Sequence, residues 1–168
     1  MSRVVLFLGD DVSTDLIYPG RFMATVLPSE TPRHAFADHA AFNAKLVAGE
    51  VPPGSVIAAG GNFGCGSSRE QAASCLKGYD LVVVAPNFAR IFLQNAINLG
   101  LKVVPCPGLE AKEGDDLAFE GGKVVNRTSG KSFTAEPMPK ARQAILDAGG
   151  LIPYTRKKLM QMADRKDA

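Results

Sequence analysis

Short apolar runs alternate with amphipathic stretches along the first two thirds of the chain. The runs cover residues 3–8, 55–59, 81–85 and 102–104, and turn residues flank them. Such runs predict short strands, and an unbroken apolar run such as 81–85 is typical of a strand that is buried on both faces. Helical periodicity lies between the runs, in residues 32–47, 72–77 and 88–99. This alternation predicts an α/β layer in which helical crossovers join parallel strands.

The segment between the first strand and the first helix has no hydrophobic period. Residues 9–32 are rich in Gly, Pro, Ser, Thr and Asp. An ordered loop of this length in a compact domain is usually functional. The helix that follows, predicted over residues 32–47, is expected to bury the apolar side chains of Ala35, Phe36, Phe42 and Leu46.

The pattern changes after residue 108. Three short strands, at 117–119, 123–125 and 131–133, are joined by glycine-containing turns and predict a small β meander set apart from the α/β layer. A helix is predicted over residues 139–148. We therefore expect one domain over residues 1–152 and a polar C-terminal tail over 153–168, whose basic side chains, Arg165 and Lys166 among them, belong to a solvated, fraying end.

Composition narrows the function classes. The chain has 168 residues, of which 46% are hydrophobic, so it is long enough for one domain with a core. Its net charge of +2 is too small to favour nucleic acid, and no apolar run is long enough to span a membrane. Three widely spaced cysteines without a CxxC pair favour a reducing compartment, and we expect a cytoplasmic protein. The two histidines, His34 and His39, are interpreted as structural.

The most informative segment is residues 60–71, which carries four glycines and leads from a strand into a helix. Glycines allow a sharp turn and a close approach of ligand to backbone, and a helix start favours an anion. Ser67, Ser68 and Arg69 sit at this start, where an arginine fork can hold a carboxylate. The residues predict a carboxylate or phosphate cradle beside a serine that could act as a base.

Competing motifs fit this segment poorly. A phosphate-binding Walker loop needs Lys after its last Gly, where Ser67 stands, and the dinucleotide fingerprint needs Gly at the position of Arg69. Neither serine has the Gly two residues later that a nucleophile elbow requires. A structural alternative stays open, namely a helix start with capping boxes that pair Ser67 with Glu70 and Ser68 with Gln71.

Residues 61–70, GNFGCGSSRE, resemble the signature of the aconitase swivel-domain family, in particular its separate small subunits of isopropylmalate isomerases. Residues 10–21 resemble that family's N-terminal substrate loop, and residues 87–101 resemble its second helix. The fold that this resemblance implies is α/β, a three-layer β/β/α swivelling domain with a small β meander.

The resemblance also implies an activity, a hydro-lyase that isomerises 2-isopropylmalate and 3-isopropylmalate by dehydration and rehydration in leucine biosynthesis. By position Ser67 would be the catalytic base, and Asp15 would hydrogen-bond within the proton-transfer network. Ser68 and Arg69 would bind the substrate.

The family further implies a [4Fe–4S] cluster that is held by a separate large subunit, in a heterodimer or heterotetramer. We expect no metal site and no cofactor in this chain, and no activity without the partner. A small 2-hydroxy diacid is the expected substrate, and neither nucleic acid nor membrane is an expected partner.

Substrate choice depends on the loop after Pro19 and Gly20. Aligning residues 22–25 with the family's specificity loop places Ala24 where relatives that act on tricarboxylic acids have an arginine. The substrate-binding residues predicted in this loop are Arg21, Phe22, Met23, Ala24 and Thr25. Their apolar members favour an isopropyl group, although Arg21 is near enough to replace the missing arginine. Methyl- or dimethylmalate (citraconate) and homocitrate (homoaconitate) remain alternatives, and a non-catalytic anion-binding module is a distant one.

Overall fold

The computed structural model describes residues 2–164, which form a seven-stranded sheet in the order β4-β3-β2-β1-β5-β6-β7. The strands are β1 (Ser2–Leu8), β2 (Val56–Ala59), β3 (Val82–Ala85), β4 (Lys102–Pro105), β5 (Asp116–Glu120), β6 (Lys123–Asn126) and β7 (Lys131–Thr134). Strands β1 to β4 are parallel, and β5 to β7 are antiparallel. Strand β1 joins the two halves because Ser2 and Arg3 also pair with Leu117 and Asp116 of β5.

The helices are short except the last. They are α1 (Thr14–Ile17), α2 (Ala40–Val47), α3 (Glu70–Gly78), α4 (Arg90–Leu99), α5 (Lys140–Asp147) and α6 (Leu151–Asp164), with 3₁₀ turns at Gly20–Phe22 and Thr31–His34. Among the described residues, no helix combines the length and the apolar character that crossing a bilayer requires.

Two apolar clusters cover the two faces of the parallel strands. Side chains of a strand alternate between faces, so Ile57 and Val83 pack with the helices, whereas Val56 and Val82 pack on the opposite side. Leu117 and Val124 of the meander belong to the second cluster. The result is a helical layer, a parallel β layer and a β meander, which confirms the predicted fold class. The meander is not set apart, because it covers the back of the parallel strands.

The predicted helix over residues 32–47 is wrong in its continuity. The chain forms a 3₁₀ turn at Thr31–His34, breaks, and resumes as α2 at Ala40. At the break Phe36 adopts a left-handed φ of 52°, and its N–H donates to the carbonyl oxygen of Ile17 at 2.7 Å. The predicted buried side chains are nevertheless all buried, Phe36 with none of its surface exposed.

The segment predicted as a fraying tail is helical as far as it is described. Helix α6 covers Leu151–Asp164, and its side chains are mostly exposed. Arg165 and Lys166 lie outside the described residues. The exposed side chains agree with a solvated segment, whereas its helical backbone was not predicted.

Candidate functional site

Three loops meet at the carboxyl ends of β1, β2 and β3. The N-terminal loop lies beside the glycine-rich turn, where Asp11 N–H donates to Gly61 at 2.9 Å and Thr14 N–H donates to Cys65 at 2.8 Å. The segment before α4 approaches the turn from the other side, through a 2.9 Å bond from Ala89 N–H to Phe63. The three motifs that carried the family resemblance are therefore adjacent in space.

Two glycines shape the turn for different reasons. Gly64 is buried at φ +82°, and a Cβ there would lie 2.2 Å from Cγ of Phe92, so no other residue fits. Gly66 has φ +90°, but its nearest neighbour to a built Cβ would be Thr14 Oγ1 at 3.7 Å. Gly66 is thus required by backbone conformation, whereas Gly64 is required by both conformation and space.

The two serines do not cap the helix. Helix α3 begins at Glu70, and the residue at its N-cap is Arg69, which makes no side-chain capping bond. Within residues 2–164 the hydroxyls of Ser67 and Ser68 make no hydrogen bond, and both residues are exposed. The capping-box alternative is therefore wrong for this turn, because neither hydroxyl bonds to a backbone N–H at the start of α3.

The turn also presents backbone donors. In the described part of the chain, the N–H groups of Gly66, Ser67 and Ser68 have no acceptor. The carbonyl of Ser67 faces the other way and accepts a 2.9 Å bond from Thr14 Oγ1. This side-chain bond fixes the direction of the Ser67 carbonyl, and unpaired N–H groups of this kind are suited to binding an anion.

An ion pair between Asp15 and Arg69 closes the site. The Asp15 carboxylate accepts from the Arg69 guanidinium and, at 2.9 Å, from the backbone N–H of Gly20. Arg69 also donates to the carbonyl oxygen of Tyr18 at 3.2 Å. The hydrogen bond from Arg69, followed by that from Gly20, holds the pKa of Asp15 below its ordinary value. Arg69 is only 18% exposed and Asp15 is 65% exposed, so the arginine is the fixed partner.

The predicted substrate loop is ordered beside this pair. The hydroxyl of Tyr18 lies 3.1 Å from the carbonyl oxygen of Phe22 and 3.3 Å from that of Thr25. Met23 and Ala24 are exposed, and Gln71 of α3 reaches the Met23 carbonyl at 3.4 Å. The loop therefore presents small and apolar side chains at the rim of the site.

Arg21 forms an ion pair with another side chain of the same chain. Its guanidinium makes a two-pronged contact with Asp38, which lowers the pKa of the Asp38 carboxyl and raises that of Arg21. Both side chains are about half exposed, so the pair is accessible to solvent. In this structure Arg21 is engaged by Asp38 and is not a free cation at the rim.

Some residues that the sequence analysis did not identify hold the loops of the site in place by hydrogen bonds, and no chemical role was predicted for them. Thr14 orients the Ser67 carbonyl, Tyr18 holds the loop, and Asn87 accepts from the Asn62 N–H at 2.7 Å. Each lies within or next to a quoted motif, which is the only signal that could have found it. The stack of the His34 ring on Phe22, with ring centres 4.0 Å apart, was also missed.

The described residues do not fit a cluster or metal. They contain no group of three Cys, His, Asp or Glu side chains close enough to hold a metal ion. Cys75 and Cys106 are buried, and burial raises the pKa of both thiols, so neither is a ready thiolate ligand.

Ser67, Ser68, Met23 and Ala24 are all exposed, so the site is open to solvent on this side. A cleft of about 690 Å³ lies near the amino ends of β3 and β4, and its walls include Val82, Lys102 and Phe119. That position is across the sheet from Ser67 and Arg69.

Comparison with known proteins identifies the family. The family model for the aconitase C-terminal domain matches residues 50–106. The 3-isopropylmalate dehydratase small subunit of Thermodesulfovibrio yellowstonii is 40% identical over 157 residues, which is 90% of each chain. The chain belongs to the family of 3-isopropylmalate dehydratase small subunits.

Two further relatives, one a solved structure and one matched by sequence, differ in name. A crystal structure of 3-isopropylmalate dehydratase from Methanocaldococcus jannaschii matches with a TM-score of 0.87, at 37% identity and over 97% of each chain. The 2,3-dimethylmalate dehydratase small subunit of Eubacterium barkeri is 41% identical over 152 residues, 87% of this chain and 90% of that one. The family and fold predictions are confirmed, and the family name describes a small subunit that has a larger partner.

Proposed function

We propose that this chain is the small subunit of a two-chain hydro-lyase that interconverts 2-isopropylmalate and 3-isopropylmalate by dehydration and rehydration. The observation that carries the proposal is the meeting of an unpartnered Ser67 hydroxyl, a turn with free N–H groups and the Asp15–Arg69 pair at one sheet edge. The named relatives at about 40% identity support the same reaction class.

Arg69 is the proposed anchor for a substrate carboxylate. Asp15 and Tyr18 take up part of its donor set and hold the guanidinium plane. The remaining N–H groups can bind a carboxylate in a two-pronged geometry. This would place the carbon next to that carboxylate over the turn that carries Ser67.

Ser67 is the proposed base. It would remove a proton from the carbon next to the bound carboxylate while the hydroxyl leaves the neighbouring carbon. After dehydration it would deliver a proton to that neighbouring carbon when water adds to the carbon that was deprotonated. A serine alkoxide is very unfavourable in water, so it needs donors that are already in place. The N–H groups of the turn and the start of α3 could supply them, with Ser68 as a further donor to the substrate.

A partner chain completes the proposed reaction. Departure of a hydroxyl needs a Lewis acid, and the described residues supply no ligand set for one. We propose that a large subunit brings a [4Fe–4S] cluster to the open side of the site, in a heterodimer or heterotetramer. The role of this chain is then to bind the carboxylate and to move the proton.

The substrate loop favours an apolar substituent. Met23 and Ala24 are exposed at the rim, and Arg21 is paired with Asp38, so no free arginine at these positions faces a third carboxylate. Burial of an isopropyl group against such side chains would contribute about 1.5–3 kcal/mol. A 2,3-dimethylmalate is a second candidate substrate, because a relative with that name is as similar as the isopropylmalate relatives.

Turnover by the reconstituted pair tests the proposal. This chain would be combined anaerobically with a cluster-loaded large subunit and assayed on 2- and 3-isopropylmalate, methyl- and dimethylmalates, citrate and homocitrate. Selective turnover of isopropylmalate would support the full proposal, whereas preference for dimethylmalate would keep the mechanism and change the substrate. Preference for a tricarboxylate would contradict the role given to Ala24, and no turnover of any of them would contradict the reaction.

A further inference from the structure

The aromatic ring of Phe22 is held by its neighbours on several elements. His34 stacks on it with ring centres 4.0 Å apart and an interplanar angle of 12°. Tyr18 meets both rings edge-on, at 6.4 Å from Phe22 and 6.1 Å from His34. The Arg21 guanidinium lies 4.6 Å from the centre of the Phe22 ring. The three aromatic residues, Tyr18, Phe22 and His34, are called the aromatic clamp below.

The clamp joins two elements that are separate in the chain. Phe22 ends the 3₁₀ turn Gly20–Phe22, and His34 ends the 3₁₀ turn Thr31–His34. The exposed residues between these turns, among them Val26 and Leu27, contribute little packing that could hold the loop in place. The stack is therefore a direct side-chain contact between the end of the loop and its beginning.

The imidazole of His34 is oriented by its own neighbour. Arg33 Nε donates to His34 Nε2 at 3.1 Å, so Nε2 is an acceptor and the ring is neutral in this arrangement. Partial burial, with the charges of Arg33 and Arg21, lowers the pKa of His34 and favours this neutral form. A neutral flat ring stacks on Phe22 without the cost of burying a charge.

We infer that His34 is a positioning residue for substrate selection, because its stack on Phe22 sets where Met23 and Ala24 face the site. This inference rests on the proposed function. His34 itself touches no part of the site chemistry formed by Ser67, Asp15 and Arg69. Its loss would loosen the side of the site that meets the substrate's apolar group and leave the carboxylate anchor in place.

The enzyme test compares His34→Ala, His34→Phe and His39→Ala in the reconstituted pair. His39→Ala is the matched control, since the His39 ring meets Phe42 edge-on at 6.2 Å and does not stack on Phe22. His34→Ala is expected to raise KM for isopropylmalate about tenfold, with kcat within about twofold, since one aromatic contact is lost. The ratio of kcat/KM for isopropylmalate to that for methylmalate should fall, and His34→Phe should restore it because Phe keeps the stack.

A second measurement uses the free chain and separates this inference from the proposed function. Hydrogen–deuterium exchange would be followed in peptides that cover residues 20–27, where Met23 and Thr25 N–H groups bond within the loop. His34→Ala should speed their exchange about tenfold, while His34→Phe and His39→Ala should not.

The outcomes are distinct. An unchanged substrate ratio in an active His34→Ala pair, or unchanged loop exchange in the free chain, would overturn the positioning role. If the wild-type pair turned over none of the substrates, the proposed function would fail, and the exchange result would still decide whether His34 holds the loop. If His34→Ala did not fold, His34→Leu, which keeps bulk without a flat ring, would replace it in both measurements and be expected to act like alanine.

Discussion

The carboxylate of Asp15 and the guanidinium of Arg69 form an ion pair across 54 positions of sequence. The pair joins the N-terminal loop to the start of α3 and brings Asp15 beside the turn that carries Ser67. Gly20 completes it with a backbone donor, and a Cβ on Gly20 would lie 3.1 Å from Arg69 Nη2. The geometry of the pair is thus set by backbone on one side and by a mostly buried arginine on the other.

Because of this pair, we expect the Asp15 carboxyl to lose its proton at a lower pH than an ordinary aspartate does. Hydrogen bonds from Arg69 and Gly20 lower its pKa below 3.8 in the folded chain. A lowered folded pKa means that the stabilisation is present above the unfolded pKa and is lost as pH falls through the folded value. A carboxyl-carbon NMR titration should give a midpoint below 3.8, and Arg69→Gln should move it upward. A midpoint at or above 3.8 in the unmodified chain would contradict the pairing.

Ser67→Ala should remove turnover without unfolding the chain. Its hydroxyl makes no bond in the described structure, and the residue is exposed, so the thermal midpoint should barely change. Loss of a general base lowers kcat by about 10²–10⁴-fold. Ser68→Ala is the matched control, for which we expect a rise in KM and a smaller fall in kcat. Near-normal kcat in Ser67→Ala would show that another group takes the proton.

Arg69→Lys should weaken substrate binding even though the charge is kept. Lysine cannot bind Asp15, the Tyr18 carbonyl and a carboxylate with one planar fork. Loss of a charged hydrogen bond costs about 1.5–3 kcal/mol, equivalent to a rise in KM of about 10- to 150-fold. Steady-state kinetics on the reconstituted pair, with Lys77→Arg as a surface control, would measure it. Equal KM values for Arg69→Lys and the parent would contradict the anchor.

Two alanine substitutions in the turn should differ in stability. Gly64→Ala places a Cβ against Phe92 and also strains a left-handed backbone, so the free energy of unfolding should fall by about 2–5 kcal/mol. Gly66→Ala adds strain alone, with a cost of about 1–2 kcal/mol. Urea denaturation of the free chain would compare them. Equal losses would mean that Phe92 moves aside and that space at Gly64 is not limiting.

The strands were predictable because their signal is local. A run such as residues 81–85 is apolar at every position, and its place between two covered faces follows from that. The break before α2 was not predictable from periodicity, since Phe36 keeps its place in the helical pattern. Burial of Phe36 and its bond to Ile17 offset the cost of this left-handed backbone, and both depend on tertiary structure.

The candidate site, like the fold, has residues that the sequence predicted and contacts that it did not. Residue types and the family resemblance indicated Ser67, Arg69 and Asp15, because their chemistry is evident from the sequence. The partner of Arg21 was missed, since Asp38 lies on a segment predicted to be helical and no local rule joins the two. The contact of His34 with Phe22 was missed for the same reason, because the return of the loop is visible only in three dimensions.

The position of β1 between β2 and β5 has a consequence for synthesis. When residues 2–8 emerge from a ribosome, neither strand that will flank them has been made. The parallel neighbour arrives about 50 residues later, and the pairing with residues 116–117 forms later still, so native contacts close over long loops. The apolar first strand therefore stays without either partner until β2 has been made, a period in which we expect it to be open to chaperone binding.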